Sequence, residues 1–182
     1  MLNVEIRRPE IEDREQVKEF FRLVIIDTFN KEGIGEKLDD MKDEIKTKEA
    51  YLEDDYKSNG NRRNFLIAVD GRNDKIIGCI EFGPASNLII ECTNNNFKDL
   101  LEVGTVFVHP DYQGRGVGKL LLNKMFNTLQ SQGIKECCLD SGYIQAQKVW
   151  KNKFGEPNYL LKDYWGIGYH HMIWKIGVSN CI

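Results

Sequence analysis

Residues 103–119, VGTVFVHPDYQGRGVGK, carry the strongest structural signals in the chain. Its first six residues are rich in β-branched side chains and stop before a proline, which predicts a β-strand over residues 103–108. Three glycines follow, at positions 114, 116 and 118. Apolar residues then recur at helical spacing over residues 117–129, and Gly133 supplies a C-cap signal. The stretch therefore predicts a strand, a glycine-rich turn and a helix in direct succession.

A glycine-rich turn at the start of a helix is suited to binding an anion. Glycine lets the backbone approach the ligand, and the first N–H groups of the helix carry a partial positive charge. Arg115 and Lys119 add formal positive charge in the same place. A phosphate-bearing ligand is the functional interpretation, and a tight turn with an ordinary helix entry is the structural alternative.

Two common phosphate-binding motifs do not fit this spacing. A Walker A motif would need a glycine at Gln113 and a hydroxyl residue at Leu120. The dinucleotide-binding fingerprint, started at Gly114, would need its third glycine at Lys119. A phosphate site here would therefore lie outside the P-loop and Rossmann classes, and glycine spacing alone favours it no more than a tight turn with an ordinary helix entry.

On both sides of the turn, the hydrophobic pattern predicts one mixed α/β domain spanning residues 1–182. The expected order is β-α-α-β-β-(insert)-β-α-β-α-β-β, which gives a central sheet of about six or seven strands with about four flanking helices. The insert, residues 86–99, is ambiguous, and residues 88–90 could form an extra strand. The other expected elements lie at residues 2–6, 17–29, 38–56, 65–69, 76–82, 103–108, 117–129, 137–139, 146–154, 159–161 and 169–176.

Composition excludes several functional classes. The chain carries 25 Lys and Arg against 28 Asp and Glu, a formal charge of −3, which argues against a nucleic-acid partner. Hydrophobic residues make up 41% of the chain and charged residues 29%, as expected for a domain with a substantial core. No apolar run approaches the roughly 20 residues that span a bilayer, and no basic segment followed by an apolar run opens the chain. We therefore expect a cytoplasmic protein without a membrane partner.

The cysteines predict neither a disulfide framework nor a metal site. Their number is odd, they form no Cys-x-x-Cys pair, and no histidine or carboxylate spacing adds a ligand set. Small buried hydrophobic residues are a better interpretation than a catalytic thiol. The five are Cys79, Cys92, Cys137, Cys138 and Cys181.

A strand that ends in Val-His-Pro-Asp-Tyr and continues as QGRGVG, residues 113–118, resembles the acetyl-coenzyme A signature Gln/Arg-x-x-Gly-x-Gly/Ala of the GNAT superfamily of N-acetyltransferases. Residues 136–157, with a strand and a short helix around Ala146 and Trp150, are similar to the next conserved block of that family. The order of elements is similar along essentially the whole chain.

The resemblance implies a GNAT-like fold and transfer of an acetyl group from acetyl-CoA, as cosubstrate, to a primary amine. The acceptor, a small molecule or a peptide, varies freely among members, and a homodimer is also compatible with the family.

The resemblance also implies where coenzyme A binds. Backbone groups of Val106, Phe107 and Val108 would hold the pantetheine arm, and one of these amides would polarise the thioester carbonyl. Ser141 stands near a position where the family often has an asparagine that contacts coenzyme A. The pyrophosphate would lie against the turn and the start of the helix, at Gln113, Gly114, Arg115, Gly116, Val117, Gly118 and Lys119.

For catalysis the resemblance implies a carboxylate base and a tyrosine acid. Glu102 occupies the base-like position, and a solvent-facing glutamate at the start of a strand is the alternative. The tyrosine position holds Trp150, whose indole N–H cannot serve as a proton donor at neutral pH. Tyr143, Tyr164 and Tyr159 are substitutes, each with packing as its alternative role.

The histidines add no catalytic prediction. His109 is interpreted as structural, and the adjacent His170 and His171 point to opposite faces of a strand, so at most one of them faces a cleft. Because Trp150 replaces the expected acid, a coenzyme A binding or sensing module without turnover is the alternative function. A purely structural α/β interaction domain is a third interpretation.

Overall fold

The computed structural model describes residues 3–180, so Leu2, in the first predicted strand, and Cys181 lie outside it. Within this range the chain forms seven strands and five α-helices. No helix in it is long and apolar enough to cross a membrane. The strands are β1 (Val4–Arg7), β2 (Asn64–Asp70), β3 (Lys75–Pro84), β4 (Leu101–Val108), β5 (Glu136–Ser141), β6 (Tyr159–Leu161) and β7 (His171–Gly177). The helices are α1 (Arg14–Lys31), α2 (Leu38–Ser58), α3 (Asn87–Cys92), α4 (Val117–Ser131) and α5 (Ile144–Phe154).

The seven strands form a single mixed sheet in the order β1-β2-β3-β4-β5-β7-β6. Neighbouring strands are antiparallel except β4 and β5, which run parallel. Parallel neighbours need a long crossover, and α4 supplies it between them. The mixed α/β fold predicted from the sequence is thus confirmed.

Helices cover both faces of the sheet. The apolar stripe of α4 packs on one face together with Trp150 of α5. On the opposite face, the apolar stripe of α1 and Leu52 of α2 pack against β2 and β3. Ile89 of α3 extends this second face over Cys138 and Ile173, in β5 and β7. We call these the α4 face and the α2 face.

The extra strand expected at residues 88–90 is wrong, because these residues belong to α3. Ser86 is the N-cap of this helix, and its Oγ accepts a hydrogen bond from the N–H of Ile89 at 3.4 Å. This bond satisfies one of the open donors of the first turn and favours a helix over a strand. The insert therefore adds a fifth helix to the predicted four.

A bulge interrupts β4 at Thr105. Opposite β3, Cys79 pairs with Phe107 and Glu81 pairs with Gly104, so β4 carries one residue more than its partner over this interval. Thr105 has a positive φ of 51°, which is rare for a β-branched residue. Such bulges bend a strand and redirect its side chains, and they are frequent beside active sites.

Candidate active site

The candidate site begins where β4 and β5 separate. These strands pair only at Leu101↔Cys137 and Glu102↔Cys138. Among the residues described, nothing on β5 pairs with residues 103–108, although β3 remains paired with β4 as far as Val108. One backbone edge of the predicted pantetheine strand therefore borders a gap, where an extended ligand can form hydrogen bonds.

The glycine-rich turn lies at the end of this gap, between β4 and α4. Gly114 and Gly116 have φ angles of +72° and +86°, and a Cβ added to either would meet nothing within 4 Å. Gly116 is the N-cap of α4, and no side chain caps this helix. The backbone N–H groups of its first turn are therefore available to a ligand, as an anion site requires.

Buried anchors hold the turn in place. Val117 is buried in the core of the α4 face. Tyr112 is also buried, and its hydroxyl donates a hydrogen bond to Asp70 Oδ2 at 3.0 Å. Arg115 lies over the Tyr112 ring, with its guanidinium carbon 5.5 Å from the ring centroid. The charged groups of Arg115 and Lys119 are thus exposed, whereas Tyr112 and Val117 anchor the turn in the core.

Gln113 connects the turn to two other elements. Its Nε2 donates to the carbonyl of Val108 at 3.2 Å, and its Oε1 accepts from Lys31 Nζ at 3.1 Å. Lys31 is the last residue of α1, so it brings a third cation to the turn. The predicted pyrophosphate residues are therefore collected at one exposed, cationic corner of the fold.

Glu102 is buried on the α2 face, where 8% of the residue is exposed. The solvent-facing alternative for this residue is therefore wrong. Its Oε2 accepts a hydrogen bond from the N–H of Ser86 at 2.7 Å. Burial, followed by the negative charges of Asp140 and Glu81, raises the pKa of Glu102 to about 8. A carboxyl group of this kind can exchange a proton near neutral pH.

A second carboxylate, Glu81, converges on the same point. A Cβ on Gly104 would lie 2.9 Å from Glu81 Oε1 and 3.6 Å from Glu102 Oε1, so both side chains reach over this glycine. Glu81 is fully buried and has its own partners, Arg63 at 2.6 Å and the hydroxyl of Thr105 at 3.1 Å. Because Arg63 balances Glu81, Glu102 remains the carboxylate without an ion-pair partner within the structure's described range.

Helix α2 closes this side of the site with Lys48 and Tyr51. The ring of Tyr51 lies under the guanidinium of Arg63, 3.6 Å from centroid to carbon. Lys48 Nζ is 3.6 Å from Glu44, and the pKa of Lys48 is raised by the charges of Glu44 and Glu81 despite its burial. The wall over Glu102 therefore contains cations as well as carboxylates.

A hydrogen-bonded chain of three side chains lies beside Glu102. Trp165 Nε1 donates to His171 Nδ1 at 3.1 Å, and His171 Nε2 is 3.0 Å from Asp140 Oδ2. Tyr164 packs against both rings, 4.8 Å from Trp165 and 5.6 Å from His171 between centroids. Of the histidine pair, His171 therefore faces the site. Sequence reasoning missed Asp140, because only the register of β5 and β7 brings it to His171, 31 residues later. It also missed Trp165, which precedes β7 in the turn and lies six residues before His171.

Tyr143 and Ser141 lie on the β5 side of the gap. Ser141 ends β5, and its Oγ accepts from the N–H of Tyr143 at 3.1 Å. Tyr143 precedes α5, and its ring packs edge-on against Phe29 at 6.0 Å. Burial and the nearby charge of Glu44 raise the pKa of Tyr143 well above its usual value. Tyr143 therefore keeps its proton. Tyr164 is exposed and lies against His171.

Three other sequence candidates lie away from the gap. Trp150 is buried in the core of the α4 face and stacks on Phe154 at 5.8 Å. The hydroxyl of Tyr159 accepts a hydrogen bond from Asn96 at 3.0 Å, at the β6 edge of the sheet. His109 Nδ1 accepts from the N–H of Asp111 at 3.2 Å, as a structural residue would.

In the described part of the chain, Cys79 and Cys138 are poor nucleophiles and no metal site is found. Cys79 and Cys138 are buried, and burial raises the pKa of both thiols far above the usual range. Within residues 3–180, no group of three or more His, Cys, Asp or Glu side chains is arranged to hold a metal ion.

Comparison with known proteins places this geometry in context. The sequence model of the acetyltransferase (GNAT) family matches residues 29–155. A GNAT-family protein from Desulfovibrio desulfuricans superposes with a TM-score of 0.69 at 15% identity, covering 96% of this chain and 99% of the other. PaiA N-acetyltransferase from Thermoplasma acidophilum, solved in complex with coenzyme A, gives 0.68 at 21% identity, with 97% and 99% covered.

YncA from Salmonella typhimurium, solved with its cofactor acetyl-CoA, gives a TM-score of 0.65 at 15% identity, covering 97% of this chain and 94% of the other. A search of curated protein sequences finds no match. These likenesses to solved structures concern the fold, and the family match covers most of the chain.

Proposed function

The chain belongs to the GNAT family of acetyltransferases, and on that premise we propose that it transfers an acetyl group from acetyl-CoA to a primary amine. The observation that carries the proposal is the open edge of β4, which leads directly to the uncapped N-terminus of α4. This combination fits a ligand that has an extended amide-bearing arm at one end and a pyrophosphate at the other. Two solved neighbours of this fold contain coenzyme A or acetyl-CoA.

The residues present fit coenzyme A. The turn from Gln113 to Gly118 would hold the pyrophosphate through its N–H groups, with Arg115 and Lys119 supplying positive charge. Val106, Phe107 and Val108 would bind the pantetheine arm through their backbone, and Ser141, at the end of β5, would contact coenzyme A. When bound, acetyl-CoA supplies an activated thioester carbonyl.

Glu102 is the proposed general base. A primary alkyl ammonium has a pKa of roughly 10.4, so it must lose a proton before its nitrogen can attack a carbonyl near neutral pH. Glu102 is buried beside the gap and, with a pKa near 8, binds a proton firmly enough to take part in this transfer. The positive charge of an acceptor would itself favour the ionised form of Glu102.

Tyr143 is the proposed general acid. It lies just after β5, as the N-cap of α5, across the gap from the predicted pantetheine strand. Burial raises the pKa of its hydroxyl, so the group is protonated near neutral pH but is a weaker acid than a free tyrosine. A protonated hydroxyl can donate to a thiolate as that group leaves. Tyr164, on the acceptor side, would contact the acceptor amine, either a small molecule or the end of a peptide.

Calorimetric titration with acetyl-CoA tests the binding half of the proposal. We expect a dissociation constant below about 100 μM, and no heat of binding at that concentration would contradict it. Gly116→Glu should abolish binding, because it places a carboxylate at the anion site. Gly133→Glu is the matched control: Gly133 also has positive φ and open space around a Cβ, but it follows the opposite end of α4.

A thiol-release assay with a panel of polyamines, aminoglycosides, amino acids and peptide N-termini tests turnover. Release with any acceptor, lost in Glu102→Gln, supports the transferase. Binding of acetyl-CoA without release on any acceptor would favour the alternative, a coenzyme A binding or sensing module. Trp150, whose presence at the expected acid position suggested that alternative, lies in the core of the α4 face rather than in the gap.

A further inference from the structure

We propose that Asp140 is a positioning residue of the acetyl-transfer site: a hydrogen-bonded chain from Trp165 through His171 fixes the position of its carboxylate beside Glu102, the proposed base. The inference rests on the proposed role of Glu102 as base. It adds three residues to the site that neither the glycine turn nor the gap between β4 and β5 includes.

The direction of the hydrogen bonds follows from the indole. An indole N–H can only donate, so His171 Nδ1 must present its lone pair to Trp165. In this arrangement His171 carries its hydrogen on Nε2, and this N–H donates to Asp140 Oδ2. Trp165 thus fixes the tautomer of His171, and His171 fixes the orientation of the Asp140 carboxylate.

The charge of Asp140 is not balanced by a cation. Within residues 3–180, His171 is the only basic side chain within 4.0 Å of the Asp140 carboxylate, and no Lys or Arg comes that close. Asp140 therefore differs from Glu81, whose charge Arg63 offsets at 2.6 Å. An unbalanced carboxylate acts on its neighbours at longer range.

The register of the sheet directs Asp140 toward Glu102. Glu102 pairs with Cys138, and Asp140 is two residues further along β5, so all three side chains share the α2 face. Cys138 packs there with Ile173, the partner of Asp140 on β7. Two residues of strand correspond to about 7 Å, so the carboxylates of Glu102 and Asp140 border the same opening.

The other ionisable groups around Glu102 have either a smaller or an opposite effect on its pKa. The negative charge of Asp140 raises the pKa of Glu102 more than that of Glu81 does, and Lys48 acts in the opposite direction. Tyr51 and the Cys138 thiol are neutral near pH 7, because both have raised pKa values. The groups that face Glu102 are Lys48 and Tyr51 from α2, Glu81 from β3, Cys138 and Asp140 from β5, and the N–H of Ser86 before α3.

Gly142 makes the chain of hydrogen bonds sterically possible. A Cβ at this position would lie 2.6 Å from Trp165 Nε1 and 3.5 Å from His171 Nδ1. No side chain can therefore occupy position 142 while the indole donates to the imidazole. The backbone after β5 is shaped to admit this contact.

The test measures the titration of Glu102 directly, in the whole protein without ligand. Carbon-13 signals of glutamate carboxyl groups are followed against pH, and Glu102→Gln identifies the signal. Asp140→Asn removes the charge but keeps an oxygen that can accept from His171. We expect the midpoint of Glu102 to fall by about one pH unit. Glu136→Gln, an exposed charge at the other end of β5, is the matched control and should leave the midpoint unchanged.

Trp165→Phe gives a second test that changes no charge of its own. Without the indole donor, nothing holds the hydrogen of His171 on Nε2, so the hydrogen bond that orients the Asp140 carboxylate is no longer fixed. We expect nitrogen-15 signals of His171 to lose the fixed Nε2–H tautomer and the midpoint of Glu102 to fall. An unchanged midpoint in both variants overturns the proposal. Because no step uses acetyl-CoA or an acceptor, this result is independent of whether the protein turns over.

Discussion

The carboxylate of Glu32, just beyond the end of α1, accepts a hydrogen bond at 2.9 Å from the backbone N–H of Ile144, the first residue of α5. Its other oxygen accepts from the N–H of Gln145, also at 2.9 Å. The side chain thus caps a helix 112 residues away in sequence. Glu32 therefore links the end of α1 to the start of α5, on the β5 side of the gap.

Glu32→Ala should therefore destabilise the fold by about 1 kcal/mol, the usual cost of losing a side-chain cap. The measurement is urea-induced unfolding at equilibrium. Glu36→Ala, which removes an exposed carboxylate from the same loop, is the control and should change the unfolding free energy by less than about 0.5 kcal/mol. Equal effects of the two substitutions would contradict the capping role.

Glu102→Gln should lower kcat by about 100-fold or more at neutral pH, because the amide cannot accept a proton. Affinity for acetyl-CoA should be unchanged. In the parent protein kcat/KM should rise with pH as Glu102 ionises, with a limb near pH 8, and the variant should lack this limb. A limb that persists in Glu102→Gln would assign the base to another group.

Stability should also depend on pH through Glu102. Its folded-state pKa of about 8 lies above the unfolded value near 4.3, so the folded protein binds a proton that the unfolded chain releases between these values. The contribution of Glu102 to the unfolding free energy should be largest below about pH 4.3 and should fall as pH rises toward about 8. Urea titrations at several pH values should show a shallower decline for Glu102→Gln.

Tyr143→Phe should lower kcat by about tenfold or more and leave the affinity for acetyl-CoA within about twofold, because it removes only the proposed proton donor. Tyr164→Phe is the paired variant. Because Tyr164 is proposed to contact the acceptor, loss of its hydroxyl should raise KM for the acceptor more than it lowers kcat. If the two variants exchange these effects, Tyr164 is the acid.

Trp150→Phe should retain turnover and coenzyme A affinity, because Trp150 is buried in the core and stacks on Phe154. Its cost should appear in stability, at about 1–3 kcal/mol from the volume lost in a packed interior. Thermal unfolding together with the thiol-release assay separates the two quantities. Loss of turnover in a variant that remains folded would return Trp150 to the catalytic candidates.

Much of the fold could be predicted, because periodic apolar stripes and glycine signals are local. α1 and α4 follow from stripes that one face of a helix buries. The mistake at residues 88–90 arose from three consecutive apolar residues, a pattern that strands and buried helices share. Ser86 was the overlooked signal, since a serine before an apolar run favours a helix start.

The site was only partly predictable, for a different reason. The turn that carries Arg115 and Lys119 is contiguous in sequence, so its spacing can be inspected directly. The contact of Asp140 with His171 spans 31 residues and exists only because β5 and β7 pair in one register. The burial of Glu102 depends on α2 and α3 covering the sheet, which no local pattern specifies.

The bulge at Thr105 divides β4 into two halves with opposite phase. Val103, Val106 and Val108 all pack on the α4 face, at intervals of three and two, whereas Phe107 packs on the α2 face as Glu102 does, five positions earlier. In an uninterrupted strand an interval of five would put these two residues on opposite faces. The bulge therefore sets which face of the sheet is presented by the half with the proposed base and which by the half with the proposed pantetheine contacts. The number of residues between the two halves matters as much as their identity, because it determines these faces.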